Sequence, residues 1–208
     1  MPRATLIAAL LFVQCTGKPS GLDIRGLDIR AQIFRPPAIL CYEGGIEVYL
    51  QSLTSAIEAL NSQVGCPIVK LWEMGESCEI RVLFSERLSS VSYWAEAVYP
   101  VDGKGSVILV RDTYRPDATD MYVVFLHEMG HVLGLNHDDP QISGAQSVSV
   151  MTENIANHMS QRLKYGLPLP SLEEQDRAAL RQRYCSVRHQ REQAIERATH
   201  NIRTRSTT

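Results

Sequence analysis

The chain has almost no net charge and no apolar run long enough to cross a membrane. Its 208 residues include 21 Lys and Arg against 23 Asp and Glu, which gives a formal charge of −2. A near-neutral chain has no bulk electrostatic attraction to nucleic acid or to an anionic bilayer, so we expect neither as a partner. The hydrophobic content of 44% is near the globular average and excludes disorder for most of the chain.

The longest apolar run lies at the N-terminus, over residues 4–13. It is too short for a transmembrane helix, and with Arg3 before it the run predicts a signal peptide over residues 1–17. Either a peptidase cuts after Gly17, or Cys15 carries a lipid in the manner of bacterial lipoproteins. The alternative is a buried helix or strand of the domain. The signal predicts an extracytoplasmic protein, secreted or anchored, which contacts a membrane only if Cys15 is lipidated.

The chain is also poor in cysteine, and its count of five is odd. Both interpretations of the N-terminus remove Cys15 and leave an even number, as expected for two disulfides in an oxidising compartment. The alternative is five reduced thiols in the cytosol. Four cysteines allow three pairings. We expect a short loop closed by Cys66 and Cys78, and domain ends tied by Cys41 and Cys185.

Glycine and proline are concentrated in residues 18–40, which also contain a tandem GLDIR repeat, and this segment is interpreted as a linker. Residues 41–185 form one predicted domain. The Arg-containing segment 186–208 has few apolar residues and is interpreted as a mobile, weakly basic tail.

Within the predicted domain, apolar spacing indicates three helices and several strands. The first helix covers 45–64 and ends at Gly65, and the second covers about 119–135. A third opens at Ser171, where Ser171 and Glu174 match a capping box. Predicted strands cover 68–72, 78–84, 93–99 and 106–110. This order predicts an α/β or α+β fold.

One constellation in the second predicted helix indicates chemistry. His127 and His131 are four residues apart, so their imidazoles share one helix face and can bind the same ion. Glu128 lies about 100° around the helix, where it misses the ion but can reach a water molecule beside it. Gly134 can end the helix in a left-handed conformation, and His137 can then return as a third ligand. The alternative is a helix with ordinary polar histidines.

Three neutral histidines leave a tetrahedral zinc ion with one open position, which is the catalytic arrangement. Zinc would make its water more acidic and polarise a carbonyl, while Glu128 would take the proton and pass it to the leaving amine. The spacing therefore predicts one catalytic Zn²⁺ and hydrolysis of a peptide bond.

These residues resemble a known family. The segment HEMGHVLGLNH resembles the signature of the metzincin zinc proteases, and residues 94–110 are similar to its matrixin branch. The resemblance implies a metzincin-like domain with a twisted mixed sheet, an active-site helix, a C-terminal helix and a turn in which Met151 lies under the zinc. It also implies that Ala95, Glu96 and Ala97 form the edge strand that pairs with extended substrate.

The sequence departs from the matrixin pattern at three positions. Asp138 follows the third histidine, as in the reprolysin branch, and is expected to support the site through a hydrogen bond. Glu96 occupies a position where animal matrixins often have a zinc-binding histidine, so we expect no second zinc. Thr152 follows Met151, so the tyrosine ligand of astacins is not expected.

The hypothesis with the most support is a zinc endopeptidase that acts on peptide or protein substrates and works as a monomer. The competing hypothesis is a surface binding module that keeps the fold and the zinc but does not turn over substrate.

Overall fold

The structure is a computed structural model and describes residues 34–89, 94–99, 105–113, 116–137, 149–152, 155, 159, 165–166 and 168–185. Its centre is a five-stranded sheet in the order β2-β1-β3-β5-β4. Strands β1, β2, β3 and β5 run parallel, and β4 pairs antiparallel with β5 at one edge. The strands are Ala38–Glu43, Val69–Leu71, Ile80–Ser85, Ala95–Val98 and Ser106–Arg111, numbered β1 to β5. The predicted mixed α/β class is confirmed.

Two helices pack against each other and against this sheet. Helix α1 covers Glu47–Val64, and its buried residues include Leu53, Ile57 and Leu60 on the face that the spacing predicted. Gly65 ends it with φ of 86°, a left-handed conformation that glycine adopts without steric cost. Helix α2 covers Ala118–Val132, close to its predicted bounds. Contacts of α2 with α1, β4 and β5 place it against the edge of the sheet that ends in β4.

Strand β1 begins inside the stretch predicted to be a linker. Ala38 and Leu40 are fully buried, and Phe34 is also in the core. The prediction that residues 18–40 are linker therefore extends too far. Prolines 36 and 37 indicated a linker, but they precede the strand, where no ladder hydrogen bond is lost. The strand sequence AILCYE also lacks the alternation of apolar and polar residues that identifies half-exposed strands.

The third helix begins later than predicted. Helix α3 covers Glu174–Leu180 and continues as a π-helical turn, Arg181–Cys185. Its capping box joins Glu173 and Asp176, so the predicted pair of Ser171 and Glu174 is wrong. The backbone of Ser171 forms a bridge with Ser149 instead, which keeps this residue extended and delays the helix.

Two disulfides are present, but the expected pairing is wrong. Cys41 pairs with Cys78, with Cα atoms 5.6 Å apart, and Cys66 pairs with Cys185, with Cα atoms 6.0 Å apart. The first pair forms because β1 and β3 are parallel neighbours, which brings Cys41 beside the residues that lead into β3. The second forms because the π-helical turn packs at the end of α1.

In the described part of the chain, no helix combines the length and the apolar character needed to cross a membrane. The predicted signal, the GLDIR repeat and the basic tail lie outside the described residues.

Candidate metal and catalytic site

Helix α2 carries the candidate site on a segment that is almost entirely buried. Asp117 caps it by accepting a hydrogen bond from the Asp120 backbone N–H at 2.8 Å. The apolar run before the motif lies in the core, and His127 and Glu128 are each only 6% exposed. Polar side chains held this deeply need partners, because an unpaired polar group in the core is costly.

The structure brings the three predicted histidines together. The Nε2 atom of His131 lies 3.1 Å from that of His127 and 3.0 Å from that of His137. The third pair, His127 and His137, has Nε2 atoms 3.3 Å apart. Tetrahedral zinc with Zn–N bonds of about 2.0–2.1 Å requires ligand nitrogens about 3.3 Å apart. The cluster therefore has the dimensions of a three-histidine zinc site.

The other ring nitrogens determine which tautomer each histidine adopts. The Nδ1 atom of His127 lies 2.6 Å from Val150 O, and that of His131 lies 2.9 Å from Leu135 O. A carbonyl oxygen only accepts, so Nδ1 carries the proton and Nε2 presents a lone pair. Two lone pairs facing each other cannot form a hydrogen bond. A cation between them fits this donor set, and the carbonyls hold the rings as supporting residues do in zinc sites.

Burial favours the neutral, ligating form of these rings. It lowers the pKa of His127 to about 4, opposed by the hydrogen bond to Val150. The pKa of His131 is also lowered, first by burial and then by the neighbouring histidines. Neutral imidazole is the form that binds a metal ion.

The turn after α2 delivers the third histidine. Leu133 closes the helix, and Gly134 has φ of 101°. This left-handed conformation was predicted for Gly134, and it sends the chain back so that His137 meets His127 and His131.

Met151 lies directly beneath the helix and is fully buried. A Cβ atom built on Gly130 would overlap Met151 Sδ, so the helix approaches this turn as closely as a glycine allows. Val150 connects this turn to two other segments. Its N–H donates to Ser171 O at 2.9 Å, and its carbonyl accepts a hydrogen bond from His127. Met151 therefore lies against the helix that carries His127 and His131, and its role as the floor under a zinc ion stays a prediction.

Glu128 lies beside the edge strand β4. Burial raises its pKa to about 8, whereas the Ala97 backbone N–H, which donates to the carboxylate, acts in the opposite direction. The charge of Glu96 adds to the increase. A divalent cation at the histidines would favour the charged carboxylate.

The predicted edge strand, Ala95, Glu96 and Ala97, forms the first three of the four residues of β4, and β4 is at the edge of the sheet. The Glu96 carboxylate accepts hydrogen bonds from the Ser89 N–H at 3.0 and 3.1 Å and from the Ser89 hydroxyl.

Asp138 lies outside the described residues, so its supporting role stays a prediction. Among the described residues, the three histidines are the one group arranged to hold a metal ion.

Three contributors to the site escaped the sequence analysis. The carbonyls of Val150 and Leu135 hold two of the rings, and the Tyr184 hydroxyl donates to Leu133 O at 3.0 Å. Backbone carbonyls carry no residue-type signal. Nothing in the spacing of the tyrosine along the sequence pointed to α2.

The helix, the histidine cluster and the edge strand together define a centre of the zinc-metallopeptidase type. A family model for matrixin matches residues 57–185, more than half of the chain. The chain therefore belongs to the matrixin family, a family of zinc-dependent metallopeptidases. A search of curated proteins found no match.

Proposed function

We propose that this protein is a zinc-dependent endopeptidase that hydrolyses peptide bonds in extended protein substrates. The observation that carries the proposal is the convergence of three Nε2 atoms within 3.0–3.3 Å, with a buried carboxylate from the next residue of the same helix. His127, His131 and His137 would hold the metal ion. A bound zinc ion would supply Lewis acidity, polarising the scissile carbonyl and making an attacking water more acidic.

Glu128 is the general base in this proposal. Its carboxylate accepts the proton of the attacking water and returns it to the amine nitrogen as the peptide bond breaks. The N–H of Ala97 holds one side of the carboxylate, which fixes its orientation without neutralising it. The Glu128 side chain is only 6% exposed, which limits the contact of its carboxylate with bulk water.

The substrate would lie along β4. This strand pairs only with β5 among the described strands, so its outer edge can accept an extended peptide as an added strand. Because the Ala97 N–H donates to Glu128, the same strand contacts both the proposed base and the proposed substrate. This arrangement would position a peptide bond over the histidines.

We also propose an oxidising, extracytoplasmic location, where the protein acts as a monomer on peptide or protein substrates. The two disulfides support it, since such bonds persist mainly in secreted and periplasmic proteins. The proposed signal over residues 1–17 is consistent with that location.

Glu128→Gln tests the proposed role of the base. We expect kcat/KM on casein and on an unstructured peptide library to decrease by about 10²–10⁴-fold, because proton transfer is lost. Bound zinc should remain stoichiometric, since the three histidines are unchanged. Removal of zinc by a chelator should abolish wild-type cleavage, and added zinc should restore it.

Glu43→Gln is the matched control, because Glu43 forms a surface ion pair with Arg81 at 2.5 Å, outside the site. It should keep wild-type cleavage. Full activity in Glu128→Gln would contradict the assigned role. A wild-type protein that binds zinc but cleaves nothing in either assay would instead support a silent binding module.

A further inference from the structure

The turn that follows α2 carries two features on which the histidine cluster depends. Leu133 ends the helix and Gly134 reverses the chain. Leu135 then donates its N–H back to the helix at 2.9 Å, and its carbonyl holds His131 Nδ1 at 2.9 Å. His137 follows two residues later. The position of this turn therefore determines the orientation of the His131 ring and the position of the His137 ring.

A buried tyrosine distant in sequence holds the beginning of this turn. Tyr184 has 0% exposure, and its hydroxyl donates to Leu133 O at 3.0 Å. Carbonyls in the last turn of a helix have no donor within the helix, so the hydroxyl supplies a partner that the helix lacks. Burial raises the pKa of Tyr184 to about 12, which keeps the proton on the donor.

Tyr184 is itself fixed from the opposite side, at the end of α1. The adjacent residue, Cys185, is bonded to Cys66 just beyond that helix. One turn earlier, Arg181 Nε donates to Val64 O at 3.0 Å. A covalent bond and a hydrogen bond therefore attach the π-helical turn to α1, and the tyrosine transmits this anchor to the end of α2.

We propose that Tyr184 is a positioning residue for the metal site. By holding Leu133 O, it fixes the turn that presents Leu135 O to His131 and brings His137 to the other two rings. The inference rests on the proposed function, because it requires that the histidines bind zinc. It adds a determinant of zinc affinity that lies on the C-terminal segment and contacts neither the metal ion nor the substrate.

The test compares Tyr184→Phe with Tyr49→Phe in the full chain. Both changes remove one buried hydroxyl and keep the aromatic ring. Tyr49 is 3% exposed, and its hydroxyl donates to Pro116 O at 3.2 Å, just before the opposite end of α2. The control therefore removes the same type of bond near the same helix, away from the histidines.

Three quantities are measured: the zinc dissociation constant by competition with a chelator, the visible absorption of the Co²⁺-loaded protein, and the denaturation midpoint without metal. We expect both variants to lower the midpoint by similar amounts. Tyr184→Phe should raise the zinc dissociation constant about tenfold, as for loss of other supporting contacts at metal sites. It should also change the Co²⁺ spectrum, which reports ligand geometry, while Tyr49→Phe leaves both metal readouts unchanged.

An unchanged zinc dissociation constant in Tyr184→Phe would overturn the inference and leave the proposed function intact. An equal increase in both variants would also overturn it, because the effect would then follow general destabilisation. If the wild-type protein binds no stoichiometric zinc, the inference and the proposed function fail together.

Discussion

The sheet is held by repeated backbone ladders, whereas the histidine site is held by single contacts to individual carbonyls. For example, six residues of β3 pair with six residues of β5. In the site, one carbonyl holds the His127 ring, one holds the His131 ring, and one tyrosine hydroxyl holds the turn that leads to His137. The ladders are regular, and the site contacts join residues from separate segments.

This difference teaches where geometry is vulnerable. A ladder distributes its stability over many similar hydrogen bonds, so the loss of one bond changes the geometry of the sheet only slightly. A site held by single contacts has no such redundancy, so one lost contact can change ligand geometry while the fold survives. We therefore expect changes near the sheet to affect stability alone, and comparable changes near the site to affect zinc affinity as well.

The two disulfides provide the largest test. Removing either pair with alanine should reduce the free energy of unfolding by about 2–5 kcal/mol, because each constrains the unfolded chain. The loss should be greater for Cys66–Cys185, whose sequence separation is 119, than for Cys41–Cys78, whose separation is 37. Denaturant titration of the two double variants measures both values.

Zinc affinity then separates the two regions. The variant without Cys66–Cys185 should bind zinc more weakly, because Tyr184 loses its covalent anchor. The variant without Cys41–Cys78 should keep its affinity, since that bond joins β1 to the residues before β3 and does not anchor Tyr184. Equal zinc affinity in both double variants would contradict the distinction drawn between the regions.

Gly130→Ala should have the next largest effect on stability. We expect it to destabilise the protein, although helix propensity alone would favour alanine over glycine. Alanine in place of glycine ordinarily stabilises a helix interior by about 1 kcal/mol. Here the new Cβ overlaps Met151 Sδ, so we expect a net loss of about 1–3 kcal/mol from overpacking. The turn that includes Val150 must shift, so zinc affinity should decrease too. Thermal denaturation and chelator competition measure the two effects.

Gly75→Ala is the comparison from the sheet region, because Gly75 lies between β2 and β3 and has φ of 95°. Its Cβ meets nothing within 4 Å, so its cost is left-handed backbone strain of about 1–2 kcal/mol. Zinc affinity should not change.

Combining Gly130→Ala with Met151→Ala should destabilise the protein by less than the sum of the single changes, because the overlap is removed. Strict additivity would exclude the proposed contact.

Ser106→Ala should have the smallest effect. The Ser106 hydroxyl is fully buried at the start of β5 and has no hydrogen-bond partner among the described residues. Replacing it removes an unsatisfied polar group, so stability should stay within about 1 kcal/mol of wild type or increase. Denaturant titration measures this change, with zinc affinity as the control. A loss of more than about 2 kcal/mol would indicate a partner for the hydroxyl.

The helices were predictable because their signals are local. Apolar spacing placed α1 within two residues of its observed start, and Gly65 marked its end. Strand β1 was missed because the two described strands that flank it, β2 and β3, come later in the chain. The capping box of α3 was misplaced because a bridge from Ser149 keeps Ser171 extended.

The candidate site shows the same division. The spacing from His127 to His137 predicted a cluster that the structure assembles. Their roles as zinc ligands, and that of Glu128 as the base, stay predictions for the experiments above. The carbonyl of Val150 could not be predicted, since a backbone group has no signature and its partner lies 23 residues away.

The sequence by itself determined the features that follow from the rigid geometry of one helix and one turn. Two histidines four residues apart share a helix face, and Gly134 permits the reversal that returns His137. Only the tertiary structure decided how the cysteines pair, which carbonyls hold the rings, and that Tyr184 reaches the end of α2. Such contacts join distant segments, and they exist only when burial of the apolar core has brought those segments together.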